Sequence, residues 1–99
     1  MGLVPMLYFV HNIGIIAPMY FVYILQCKDS SLYTGIAKDV QKRFGEHAAG
    51  RGGAYTRSHK PIRIVCIEKK KTRSAALRRE AEIKRWSRNK KIRTLNIPL

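Results

Sequence analysis

Apolar positions recur along this chain in distinct rhythms, and each rhythm predicts an element. Residues 19–27, MYFVYILQC, form a nearly unbroken run of aromatic and β-branched side chains, which predicts a central strand. KDSS then supplies turn residues, and LYTGIA (32–37) reads as the return strand of a hairpin. From residue 38 to 49 the rhythm changes to every fourth position, with Val40, Phe44 and Ala48 on one face of an expected helix. GRGGAYTRSHKP (50–61) has no rhythm; its glycines break the helix, Pro61 forbids its continuation, and a loop is expected. IRIVCIE (62–68) predicts a third strand, and Lys69 to Arg73 a basic connector. Ser74 is placed to cap a helix over 75–86, with Ala76, Leu77 and Ile83 facing inward, and 88–94 predicts a short basic helix. The economical packing of these elements is an α/β fold, a small, mainly antiparallel three-stranded sheet flanked by helices.

The expected domain therefore spans 19–94, followed by a tail of 95–99. Residues 1–18, MGLVPMLYFVHNIGIIAP, are apolar but lack the basic start and small-residue cleavage site of a secretory signal. Pro5, His11, Asn12 and Pro18 interrupt the stretch, which a membrane span of about 20 apolar residues would not tolerate. This extension is read as a misassigned start, with Met19 opening the chain, or as a flexible tail or additional strand.

Charge changes the picture most. The formal net charge is +14, and it is lopsided: residues 1–50 hold 4 Lys/Arg against 3 Asp/Glu, residues 51–99 hold 16 against 3. Such an excess points to a polyanionic partner, nucleic acid before acidic membrane. Cys27 and Cys66 stand far apart in apolar runs with no CxxC pair, which excludes the usual zinc-finger spacings. They are expected as buried, reduced thiols of a cytoplasmic protein.

Candidate chemistry gathers on three elements. By strand alternation Phe21, Tyr23 and Leu25 share one side, as do Tyr33 and Gly35, so a hairpin can aim two phenols the same way beside a glycine. At about 100° per residue, Arg43 and His47 fall on the flank of the Val40/Phe44/Ala48 stripe. A lone arginine there ordinarily snorkels, and a lone histidine is a border residue. Together beside Tyr33 they offer phosphate donors and a group that moves a proton near neutral pH.

Carboxylates number only six. Asp29 belongs to the hairpin turn, Asp39 to a first helical turn, Glu46 to a solvent-facing side and Glu68 to a strand end. Glu80 and Glu82 are separated by about 200° on a helix and cannot share a site. Glu82, between Arg78 and Arg85, reads as a surface ion pair, while Glu80 falls in the inward arc with Ala76 and Ile83. A structural pair with Lys84 is one role for it, and a Mg²⁺ ligand completed by water and a substrate phosphate is the other. No two acids sit where a pair of metals needs clamping.

The ordered set FVYIL, YTG, KDVQKRFGEH and an inward glutamate on a later helix resembles the GIY-YIG nuclease superfamily, from about Met19 to Arg93. It is most similar to the small single-domain bacterial proteins that carry an AYTRSHKP-type loop and an ALRREAEIK-type helix. The first triplet here, Phe21-Val22-Tyr23, lacks the family's glycine, and the second is Tyr33-Thr34-Gly35. The resemblance implies a metal-dependent endonuclease, with DNA repair or recombination as its setting. Tyr23 or Tyr33 would act on the attacking water, Arg43 would bind the scissile phosphate, and His47 would assist proton transfer or orient a tyrosine. Glu80 would hold Mg²⁺ (or Mn²⁺). Tyr55, Arg57, His59 and Lys60 in the loop, with Lys69, Lys70, Lys71 and Arg73, are expected to grip nucleic acid: backbone throughout, with Tyr55 free to stack on a base or pack on the core. The expected substrate is DNA, branched or duplex, with single-stranded DNA and RNA also compatible; no membrane is expected, and a protein partner remains open. The alternative is a nucleic-acid-binding module that kept the fold without the activity.

Overall fold

Tyr20–Cys27 forms the central strand β1 of a three-stranded sheet in a computed structural model that describes residues 19–99. The extension of residues 1–18 lies outside the described residues. β2 (Leu32–Ala37) and β3 (Pro61–Lys70) flank β1, both antiparallel to it, in the order β2-β1-β3. Four helices complete the described chain: α1 (Val40–Ala48), α2 (Ala54–Ser58), α3 (Arg73–Lys84) and α4 (Arg88–Thr94). The α/β architecture read from the sequence is the one observed.

Because β1 is central, alternation along it feeds two cores. Val22 and Ile24 turn to one face and are buried with Ala76 and Ile83 of α3 and with Ile97, which lies beyond α4. Leu95 and Trp86 pack against the same cluster. Tyr23 and Leu25 turn to the other face and are buried with Val40 of α1, edged by Phe21, Tyr33, Phe44 and Ile64. Burying each aliphatic side chain of this kind contributes about 1.5–3 kcal/mol relative to exposure, enough to fix the strand's facing. β3 keeps step only by bulging. Ile24 pairs with Cys66 and Leu25 with Ile64, so Val65 is the extra residue that lets Ile64 and Cys66 serve opposite faces.

Several boundaries differ from the sequence reading. The segment expected as a plain loop contains α2, a single helical turn between Gly53 and His59 too short to show a rhythm. Thr72, not Ser74, caps α3: its Oγ1 accepts from the Ala75 amide at 3.0 Å, while the Ser74 hydroxyl accepts from Arg78. Helix α3 accordingly ends at Lys84, before Trp86. β3 extends to Lys70, which leaves Lys71 and Thr72 as the connector. Leu77, expected inward, is 37% exposed, because the sheet contacts only the narrower arc around Ala76 and Ile83. Glu82 pairs with Arg79 rather than with Arg78 or Arg85, at 2.9 Å. Cys27 is buried, Cys66 is half-buried, and both are free thiols.

Thr34 faces the α3 side opposite Ile24, is 3% exposed, and its hydroxyl has no hydrogen-bond partner among the described residues. A buried hydroxyl in that state costs about 1–3 kcal/mol. Thr34→Val is therefore expected to stabilise the fold by about 1 kcal/mol, seen as a melting temperature about 4–8 °C higher. A lower melting temperature would show that the hydroxyl is satisfied in solution.

Candidate active site

The pairing of β1 with β2 sets Tyr23 opposite Gly35 and Leu25 opposite Tyr33, so both phenols rise from the face that α1 covers. Gly35 is required there by proximity. A Cβ at that position would stand 2.5 Å from the Tyr23 hydroxyl oxygen and 3.1 Å from the Tyr33 ring. Helix α1 begins at Asp39, whose carboxylate accepts from the Lys42 amide at 3.0 Å. That start brings Arg43 and His47, one turn apart, onto the two tyrosines.

His47 is the centre of the cluster. It is 1% exposed, with Nε2 2.9 Å from the Tyr23 hydroxyl and Nδ1 2.6 Å from the Thr56 hydroxyl. The Tyr33 ring lies 4.9 Å from the imidazole, centroid to centroid. The flank position read from the helical wheel is thus corrected to full burial, because the chain from Gly50 to Thr56 folds back over the ring. Gly52 makes that approach possible: a Cβ there would collide with the imidazole, 2.7 Å from Cε1 and closer still to Nδ1.

Arg43 is held from two sides. Nη1 donates to the Glu46 carboxylate at 2.8 Å, and Nη2 donates to the Gly52 carbonyl at 3.0 Å. Glu46, expected to face solvent, instead turns along the helix to this guanidinium. Glu80 is the carboxylate on the α3 side. Its side chain is 17% exposed, and one oxygen lies 3.1 Å from Lys84 Nζ. Both roles set out for this residue therefore meet in it: the ion pair with Lys84 is formed, and its charge still acts on Tyr23.

Burial dominates the electrostatics. It pushes the Tyr23 phenol up to about 12, helped by Tyr33 and Glu80, while the nearby Arg43 guanidinium pulls the other way. Burial also holds the His47 imidazole below its ordinary value, and the Arg43 charge adds to this. His47 is accordingly neutral near pH 7, and Arg43, whose own value is raised by Glu46 above all, stays charged.

The loop residues form an aromatic row. Tyr55 lies 5.9 Å from Tyr33 at 24° and 3.9 Å from His59 at 4°. Tyr55, expected as a platform for bases or as a core residue, has both ring faces taken, so the open end of the row is His59. Beside it is a depression of about 330 Å³ lined by Lys28, Asp29, Ser58, His59 and Lys60. Arg57, Lys69, Lys71 and Arg73 are exposed. Lys70 is half-buried and pairs with Glu68 at 3.8 Å; that carboxylate also receives two hydrogen bonds from Arg79.

Sequence reasoning missed Gly52, Thr56 and Glu46. The signal for the first lay in the excess of glycines over 50–53, more than ending a helix needs. Thr56 gave no sign, since its partner is nine residues away.

Among the described residues no three His, Cys, Asp or Glu side chains gather as a ready-made metal cage. A lone carboxylate with one oxygen committed only to an exposed lysine fits a Mg²⁺-type ion, which keeps most of its water and binds through one or two carboxylates plus phosphate. A two-metal centre does not fit this donor set.

The comparisons agree with this geometry. The sequence matches the GIY-YIG catalytic domain over residues 19–93. A UPF0213 protein of Staphylococcus saprophyticus is 47% identical over 77 residues, covering 78% of this chain and 94% of that one. A UPF0213 protein of Staphylococcus aureus is 49% identical over 76 residues, covering 77% and 93%. The solution NMR structure of a UPF0213 protein from Bacillus halodurans aligns with a TM-score of 0.52 and 42% identity, over 79% of this chain and 83% of that one. With its sheet, its two opposed tyrosines and its match over nearly all the described residues, the chain belongs to the GIY-YIG catalytic domain family, a nuclease-type fold.

Proposed function

We propose that this protein is a metal-dependent nuclease that hydrolyses DNA phosphodiester bonds. The observation that carries the reading is the convergence around His47 of side chains from separate elements. Tyr23 comes from β1, Tyr33 from β2 and Arg43 from α1, with the Glu80 charge felt at Tyr23 from α3. Hydrolysis needs a placed water, donors for the charge that develops on phosphorus-bound oxygens, and help for the leaving oxygen.

Glu80 would hold the Mg²⁺ (or Mn²⁺), which when bound lowers the pKa of its water and neutralises phosphate charge. Arg43 has five donors, two of them engaged by Glu46 and Gly52, which leaves donors for the scissile phosphate. Tyr23, with its phenol raised to about 12, is protonated at pH 7 and positions water through its hydroxyl rather than removing a proton in the resting state. Tyr33, on the outer side of His47 and stacked on Tyr55, is the second phenol available to that water. The exposed basic residues of β3, α2 and the connector, with His59 and Lys60 at the end of the aromatic row, would grip the backbone without reading bases. Branched DNA of repair or recombination is the substrate we favour, with a protein partner as an added source of affinity.

One observation favours the second reading, a binding module: Glu80 and Arg43 are both committed to internal partners. Labelled duplex, branched and single-stranded DNA, with an RNA strand beside them, incubated with Mg²⁺, Mn²⁺ or EDTA, separates the two. Cleavage that requires metal and stops with EDTA is expected. Tight binding without cleavage of any strand would transfer the function to the binding module.

A further inference from the structure

We infer that Thr56 is a positioning residue that fixes His47 as its Nε2–H tautomer, making the imidazole a neutral hydrogen-bond donor to the Tyr23 oxygen rather than an acceptor of its proton. The catalytic consequence rests on the nuclease reading; the tautomer does not.

The two distances on the ring assign the proton. A 2.6 Å separation between Nδ1 and the Thr56 hydroxyl is shorter than the usual N–H···O range and ordinary for an O–H donor. The 2.9 Å separation between Nε2 and the Tyr23 oxygen is the commonest value for an N–H donor. Satisfaction of the hydroxyl agrees. Thr56 is 2% exposed, and among the described residues Nδ1 is the only hydrogen-bond partner of its Oγ1. Were Nδ1 the protonated nitrogen, the threonine proton would be buried without an acceptor, at a cost of about 1–3 kcal/mol. With Thr56 donating to Nδ1, the single ring proton resides on Nε2 and points at Tyr23.

This arrangement is built, since the Gly52 backbone packs against the imidazole and blocks it from turning over. The Tyr23 oxygen then faces two donors, His47 Nε2–H and the Arg43 guanidinium that lies within hydrogen-bonding reach of it. Its own proton is directed away from the histidine. Two donors favour negative charge on that oxygen, so Tyr23 is the group prepared to give up a proton, and His47 prepares it.

Long-range ¹H–¹⁵N correlation spectra of the uniformly ¹⁵N-labelled protein read the tautomer without any reference to activity. We expect His47 to show a protonated Nε2 and a bare Nδ1; the opposite pattern overturns the inference, even if the protein cleaves DNA. Thr56→Val should release the ring into a mixture of tautomers and lower kcat about 10–100-fold, as loss of a ligand-orienting partner ordinarily does. Thr56→Ser should restore both the spectrum and the rate. A valine variant with the wild-type tautomer and rate would overturn the role of Thr56. If the valine variant does not fold, the wild-type and serine spectra decide, and a serine variant that loses the Nε2–H pattern counts against the inference. Should no nucleic acid be cleaved at all, the nuclease reading falls while the spectra still decide the tautomer.

Discussion

Arg43→Ala is expected to lower DNA cleavage about 10²–10³-fold while leaving the protein folded. The magnitude is that of losing one preorganised donor to a transition-state anion. Arg43 is preorganised in this sense: Glu46 and the Gly52 carbonyl hold its guanidinium at 2.8 and 3.0 Å, so little rotamer freedom remains to be lost when a phosphate arrives. The stability cost should be small. The Arg43–Glu46 pair is about a third exposed on both sides, a setting in which an ion pair contributes about 0.2–1 kcal/mol. Arg43→Lys sharpens the test, because it keeps the charge and loses the fork. An intermediate rate for lysine identifies charge plus geometry as the contribution; wild-type cleavage by the alanine variant would remove Arg43 from the chemistry. Initial rates on labelled DNA, with melting curves beside them, provide both readings.

What the sequence made legible follows from how local each signal was. β1 could be read because an apolar run of aromatic and β-branched residues has one good destination, and its alternation already put Tyr23 and Leu25 on one side. The hairpin partner was legible for the same reason, and with it the opposition of Tyr23 to Gly35. The direction of Glu80 was legible from its arc with Ala76 and Ile83. Leu77 was not, because a helical wheel gives angles but not how wide a strip of helix the sheet covers.

The burial of His47 was out of reach for a different reason. Nothing within one turn of α1 buries that ring; Gly52 and Thr56 do, and they act by folding a glycine-rich segment back on itself. The same fold-back converts Tyr55 from an expected platform into the middle of a stack between Tyr33 and His59. The cap of α3 shows the limit at smaller scale. Thr72 and Ser74 both carry a suitable hydroxyl, and only the extended backbone at Thr72 decides between them. The composition of the site was therefore readable, whereas the hydrogen bonds that orient it depend on contacts nine residues apart.

Glu80→Gln should abolish metal-dependent cleavage and leave DNA affinity nearly unchanged. The amide keeps the shape of the carboxylate but not its charge, and a hard divalent cation takes oxygen ligands with negative charge in preference. No second acid is poised to substitute, since Glu68 is committed to Arg79 and Lys70, and Glu46 to Arg43. Stability should hardly move. The Glu80–Lys84 pair joins a carboxylate to a half-exposed lysine one turn along, an arrangement that contributes about 0.3–0.5 kcal/mol. Two effects act on DNA binding in the same direction: one negative charge is removed, and Lys84 is released to face the phosphates. Affinity is thus expected to hold or rise slightly at fixed salt. Cleavage in Mg²⁺ and Mn²⁺, filter binding and a melting curve on the same preparation separate the outcomes. Lost cleavage with intact binding and an unchanged melting temperature assigns Glu80 to the metal. A large fall in melting temperature would assign it to the fold, through its pair with Lys84. Full cleavage by the glutamine variant would mean that phosphate and water alone hold the ion, and the carboxylate would leave the mechanism.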